Sequence, residues 1–90
     1  MVIEKKKSQK KRTLKKDKTF KLYLMNDEVN TFDYVVDCLI HIFEFTEEQA
    51  LQVTLITHLK GSCLLKKADY DVLSYFQQEL AACSIQSKIV

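Results

Sequence analysis

The charge of this chain is split in two, and the split decides how much of it can fold. Residues 1–18 (MVIEKKKSQKKRTLKKDK) hold nine Lys and Arg against two acids, a net +7, with almost no apolar content after Ile3. Such a stretch cannot bury enough surface to offset the roughly 1–2 kcal/mol of backbone entropy lost per ordered residue. Residues 19–90 hold five Lys and Arg against ten acids, a net −5, together with nearly all the apolar side chains. The expectation is a basic, disordered N-terminal extension over 1–18 and one folded domain over 19–90. At physiological salt the Debye length is about 8 Å, so little holds the basic lead against the acidic domain. The lead is open to three uses: a solvated tail, a nucleic-acid contact through counterion release, or a flexible segment that a partner grips.

Several classes fall away on composition. No stretch approaches the ~20 apolar residues of a membrane span. No apolar run follows the N-terminal lysines, so no secretory signal and no membrane partner are expected. Cys38, Cys63 and Cys83 are odd in number, far apart and without a CxxC, which argues against a disulfide framework or a zinc site. They read as buried or half-buried free thiols of a cytoplasmic protein. His41 and His58 pair with no cysteine or second histidine at metal-ligand spacing. With one glycine there is no phosphate-binding loop. No metal, no cofactor and no enzymatic activity are expected.

The order of elements follows from local pattern. Thr19–Met25 alternates Phe20, Leu22 and Leu24 against Lys21, Tyr23 and Met25, as a strand does. Asn26-Asp27-Glu28 stops it, because Asn and Asp side chains hydrogen-bond nearby backbone. A helix is expected over 31–43, capped by Asn30 or Thr31, with Val35, Leu39, Ile42 and Phe43 at helical spacing. Thr46 and Gln49 form a capping box that opens a second helix to about His58, and Gly61 suits the left-handed residue after its end. Ser62–Lys66 reads as a short strand. Asp69 caps a third helix over 70–82, with Val72, Leu73, Phe76 and Leu80 inward. Ser84–Val90 alternates as a last strand. The fold class is therefore α+β, in the order β-α-α-β-α-β, with a small three-stranded antiparallel sheet packed on three helices.

Over Phe20 to Gly61 these residues resemble the ClpS family of Clp protease adaptors, without a gap. Asn26-Asp27-Glu28 stands where the family has Asn-Asp-Asp. Asn30-Thr31-Phe32-Asp33-Tyr34-Val35-Val36 stands where it has Thr-Pro-Met-Glu-Phe-Val-Val/Ile. Leu39, Phe43, Glu48, Ala50 and Gln52 also match. Leu55-Ile56-Thr57-His58 with Gly61 matches Leu-x-Val-His-x-x-Gly. After Gly61 the likeness fades, and the segment before the third helix is about five residues shorter than usual, so no docking residue is carried over.

The resemblance implies a sandwich of the ClpS and ribosomal-protein L7/L12 C-terminal kind, and an adaptor that catalyses nothing. Such an adaptor holds substrates by a large hydrophobic N-terminal residue, the N-degron. It delivers them to the N-terminal domain of a Clp AAA+ unfoldase of the ClpA or ClpC type, which feeds ClpP. Asn26 and His58 would then hold the α-amino group, with Asp27 adding negative potential. Phe32, Val35, Thr54, Thr57 and Ile85 would line the hydrophobic pocket. Phe32 and Thr54 replace family methionines and Thr57 a valine, which implies a more polar and differently shaped pocket. The expected partners are N-degron substrates and the unfoldase, with the chain a monomer. Two alternatives stand beside this: a ClpS-fold interaction domain without N-degron binding, and a nucleic-acid or ribosome-associated protein acting through its tail. The lack of aromatics among the tail lysines speaks against the second.

Overall fold

Three strands and three helices follow one another in the order that the sequence pattern gives. A computed structural model describes residues 18–90; the disordered lead expected over 1–18 lies, but for Lys18, outside the described residues. The elements are β1 (Phe20–Met25), α1 (Phe32–Phe43), α2 (Glu47–Lys60), β2 (Ser62–Ala68), α3 (Tyr70–Ala82) and β3 (Ser87–Ile89).

Each helix starts on a side-chain cap, which satisfies N–H groups that have no partner within the helix. Thr31 rather than Asn30 caps α1, its Oγ1 accepting from the Tyr34 N–H at 3.2 Å. At α2 the capping box is complete: Gln49 N–H donates to Thr46 Oγ1 at 3.1 Å and Thr46 N–H to Gln49 Oε1 at 3.0 Å. Asp69 Oδ1 accepts from Val72 N–H at 3.1 Å and opens α3. Gly61 ends α2 at φ 96°, its N–H donating to the Thr57 carbonyl at 2.8 Å.

The sheet order is β2-β1-β3, with both pairings antiparallel, so β1 is central. A bulge between Leu22 and Tyr23 shifts the β1–β2 register, with Leu22 opposite Lys66 and Tyr23 opposite Leu64. Leu22 and Leu24 point from one face of β1 into a core completed by Val36, Leu39, Ala50, Leu73, Leu80 and Ile85. Phe43 stacks on Phe76 at 4.7 Å between centroids and closes one side of it. Cys38 is buried, Cys63 and Cys83 are half-buried, and all three are free. Burial pushes the Cys38 and Cys63 thiols above their ordinary range. No helix among the described residues is long and apolar enough to cross a membrane.

Three expectations are corrected. Strand β2 runs on to Ala68, because it pairs with β1 as far as Phe20. Val72 is 38% exposed rather than inward, since it lies one residue, about 100° of helical rotation, off the Leu73–Leu80 stripe. The last strand begins at Ser87, not Ser84. Residues 83–85 unwind α3 instead: Cys83 and Ile85 N–H both donate to Leu80 O at 2.9 Å, and Ser84 takes a left-handed φ of 64°. Ile85 is thus a buried residue of the turn before β3, not part of the strand.

Candidate functional site

The site forms where the central strand ends. Because β1 has a neighbour on either side, its last residues are tied in both directions. Met25 N–H donates to Gln86 O at 3.1 Å, and Asn26 N–H donates to Gly61 O at 3.0 Å. The second bond brings the loop after β1 against the C-terminal end of α2, where His58 sits one turn before the cap. Two residues far apart in sequence, Asn26 and His58, thereby meet across one cavity of about 510 Å³.

Every site residue expected from sequence lines that cavity: Asn26, Asp27 and His58, and Phe32, Val35, Thr54, Thr57 and Ile85. They come from four parts of the fold. The loop after β1 gives the first two, α1 gives Phe32 and Val35, α2 gives Thr54, Thr57 and His58, and the turn after α3 gives Ile85. Its volume lies within the ~300–1,000 Å³ of a site for a small ligand. Phe32 is 38% exposed and stands on the wall without filling the space.

The two threonines that were expected to make the pocket more polar spend their hydroxyl protons within their own helix. Thr54 and Thr57 are 5% and 4% exposed, and their hydroxyls donate back into the helix, to Ala50 O at 2.8 Å and Val53 O at 2.9 Å.

Asp27 organises the loop. Its Oδ1 accepts from the backbone N–H groups of Val29 and Asn30, both at 2.9 Å, and its Oδ2 from Asn30 Nδ2 at 3.1 Å. The Asn30 backbone N–H is the main cause that holds the carboxyl below its usual pKa; partial burial opposes it, and the Asn30 side chain and the Val29 N–H add to the lowering. The carboxylate therefore stays charged at neutral pH. Cavity residues that the sequence reading passed over are Leu24, Met25, Glu28 and Asn30. Only Asn30 left a signal. Asp27-x-x-Asn30 has the spacing of an Asp-led turn, and assigning the cap to Thr31 would have freed Asn30 for other work. His41 lies away from the cavity, exposed, its Nδ1 2.8 Å from Asp37 O. Among the described residues no cluster of His, Cys, Asp or Glu is arranged to hold a metal.

Fold and site together define a small α+β sandwich with a cavity at the end of its central strand, lined by both apolar and polar side chains. A family model described as ATP-dependent Clp protease adaptor protein ClpS matches residues 15–88, and the chain belongs to the ClpS family. The ClpS adapter of Acetivibrio thermocellus is 38% identical over 58 residues, covering 64% of this chain and 59% of that protein. The one from Campylobacter jejuni is 34% identical over 77 residues, covering 86% of this chain and 71% of that protein. The matched stretch thus spans about three-fifths of the first of these relatives. In fold, the chain matches the structure of Agrobacterium tumefaciens ClpS2 bound to L-phenylalaninamide, with a TM-score of 0.78, 19% identity, and coverage of 81% of this chain and 95% of that one.

Proposed function

We propose that this chain is a Clp protease adaptor that captures substrates by a free α-amino group and a large apolar first side chain. It delivers them to a ClpA- or ClpC-type unfoldase and catalyses nothing itself. The observation that carries the reading is that Asn26, Asp27 and His58, from distant parts of the chain, line one cavity together with the apolar side chains of Leu24, Phe32, Val35 and Ile85. L-Phenylalaninamide, the ligand of the A. tumefaciens relative, has this chemistry: an amine next to an aromatic ring.

The physical case is a balance of costs. A free α-amino group has a pKa near 7.7–8 and is mostly charged at neutral pH. Taking it out of water is costly unless acceptors meet its donors. The Asn26 carboxamide oxygen and a neutral His58 nitrogen supply acceptors, and the Asp27 carboxylate supplies negative potential. Each hydrogen bond to the charged group contributes roughly 1.5–3 kcal/mol, and burial of one large apolar side chain about 1.5–3 more. Against association costs of several kcal/mol, this gives a Kd on the order of micromolar. An internal peptide segment lacks the ammonium and leaves Asn26 and His58 unpaired, which is the basis of specificity.

Fluorescence polarisation with a Phe-initiated peptide and its N-acetylated form tests the reading. The free-amine peptide is expected to bind and the acetylated one to fail; equal binding removes the proposal.

A further inference from the structure

The loop after β1 and the turn after α3 meet through a pair of side chains that amine capture alone does not require. Asn30 Nδ2 donates to Asp27 Oδ2 at 3.1 Å and to Ser84 O at 2.8 Å. One turn further on, Tyr34 Oη donates to Cys83 O at 2.8 Å. Two consecutive carbonyls of the post-α3 turn are thus held from the opposite wall. The turn is one that needs holding, because Ser84 is a non-glycine residue at a left-handed φ of 64°. The next residue is Ile85, 3% exposed and a wall of the cavity.

We propose that Asn30 is the positioning residue of this pocket: its single amide group ties the Asp27 carboxylate to the Ser84 carbonyl, so that the charged end and the Ile85 wall are fixed as one unit, with Tyr34 seating the neighbouring carbonyl. The inference rests on the amine-capture reading. An amide is suited to the place. Its two N–H donors lie about 120° apart on one planar nitrogen, so one side chain serves two acceptors from separate segments. An aspartate of the same shape has no donor and would repel Asp27. Asn30 sets the distance between the ammonium position and the apolar wall, which is the dimension that separates a Phe from a Leu first residue.

The test titrates wild type, Asn30→Ala and Tyr34→Phe with Phe-initiated, Leu-initiated and N-acetylated Phe peptides, with thermal unfolding measured alongside. Wild type should bind the first two and reject the third. Asn30→Ala, losing two hydrogen bonds, should weaken Phe-peptide binding by roughly five- to a hundredfold and change the ratio of Phe to Leu affinity. Tyr34→Phe should change that ratio with a smaller loss, since it leaves Asp27 untouched. An unchanged ratio in Asn30→Ala, whether affinity is kept or falls equally for both peptides, overturns the proposal while leaving amine capture intact. Should Asn30→Ala not fold, an unchanged ratio in Tyr34→Phe overturns it instead. A wild type that binds free and acetylated peptides alike sinks the amine-capture reading and this inference with it.

Discussion

Replacing Gly61 with alanine tests how the backbone builds the site. Gly61 sits at φ 96°, and a β-carbon placed there meets nothing within 4 Å. The penalty is therefore conformational and not steric. Putting an L-residue into the left-handed region costs roughly 1–2 kcal/mol. Loss of freedom in the unfolded chain returns about 0.4–1 kcal/mol of that. The net expectation is a destabilisation of about 1 kcal/mol, which for a domain of this size lowers Tm by roughly 4–8 °C. Gly61→Asn should cost clearly less, since Asn tolerates this region. Binding should follow stability, because the Gly61 carbonyl accepts the Asn26 N–H at 3.0 Å and the cap fixes the last turn of α2, which carries His58. Thermal unfolding followed by circular dichroism, with a Phe-peptide titration beside it, measures both effects. If alanine and asparagine behave alike, or alanine costs three times the expected amount, the assignment of the cost to backbone conformation is refuted.

Three further outcomes follow from the same geometry. Asp27 has a carboxyl pKa below its usual value in the fold, so its contribution to stability is present above the unfolded value of about 3.9 and is lost as pH falls through the lower folded one. Urea melts of wild type and Asp27→Asn should therefore differ at pH 7 and draw together as the pH falls below the unfolded value and on through the folded one; a gap unchanged by acid would refute this. The double variant Thr54→Val and Thr57→Val should bind a Phe-initiated peptide within about twofold of wild type, because both hydroxyls are spent on helix carbonyls; a tenfold loss would mean the ligand uses them. Leu39→Ala, at a fully buried position, should cost about 2–5 kcal/mol, read as a fall in the urea midpoint, and a loss under about 1 kcal/mol would show that the site collapses without a cavity.

The fold was legible where the chain uses side-chain punctuation, and less so where backbone alone decides. Thr46 with Gln49, Asp69 and Gly61 mark helix ends by local chemistry, and all act as their residue types suggest. The end of α3 has no such mark. Cys83 and Ser84 are neither glycine nor asparagine, so nothing in the sequence announces the left-handed turn, and the alternation of Ser84–Val90 reads as one strand. The sequence named residues that the fold brings to one cavity, but not two of the interactions there. Whether a buried threonine is polar toward a pocket depends on which way its hydroxyl turns, and in α2 both turn back to the helix. Asn30 was hidden by ambiguity: next to Thr31 it reads as a second candidate cap, and its partner Ser84 lies 54 residues away.

The departures from the family pattern change the stiffness of the pocket more than its polarity. Methionine is unbranched and polarizable, and adapts its shape to what it touches. Phe32, where the family has one such residue, is a rigid ring in the first turn of α1. Thr54, where it has another, is β-branched and locked by its bond to Ala50 O. At these two positions adaptable side chains are thus exchanged for stiff ones, one on α1 and one on α2, both lining the cavity. A stiff wall loses less entropy on binding a ligand that fits and has less room to accommodate one that does not. Wild type should therefore spread its affinities across Phe-, Tyr-, Trp- and Leu-initiated peptides more widely than the double variant Phe32→Met and Thr54→Met. A wider spread in the double variant would place the source of selectivity elsewhere than in these walls.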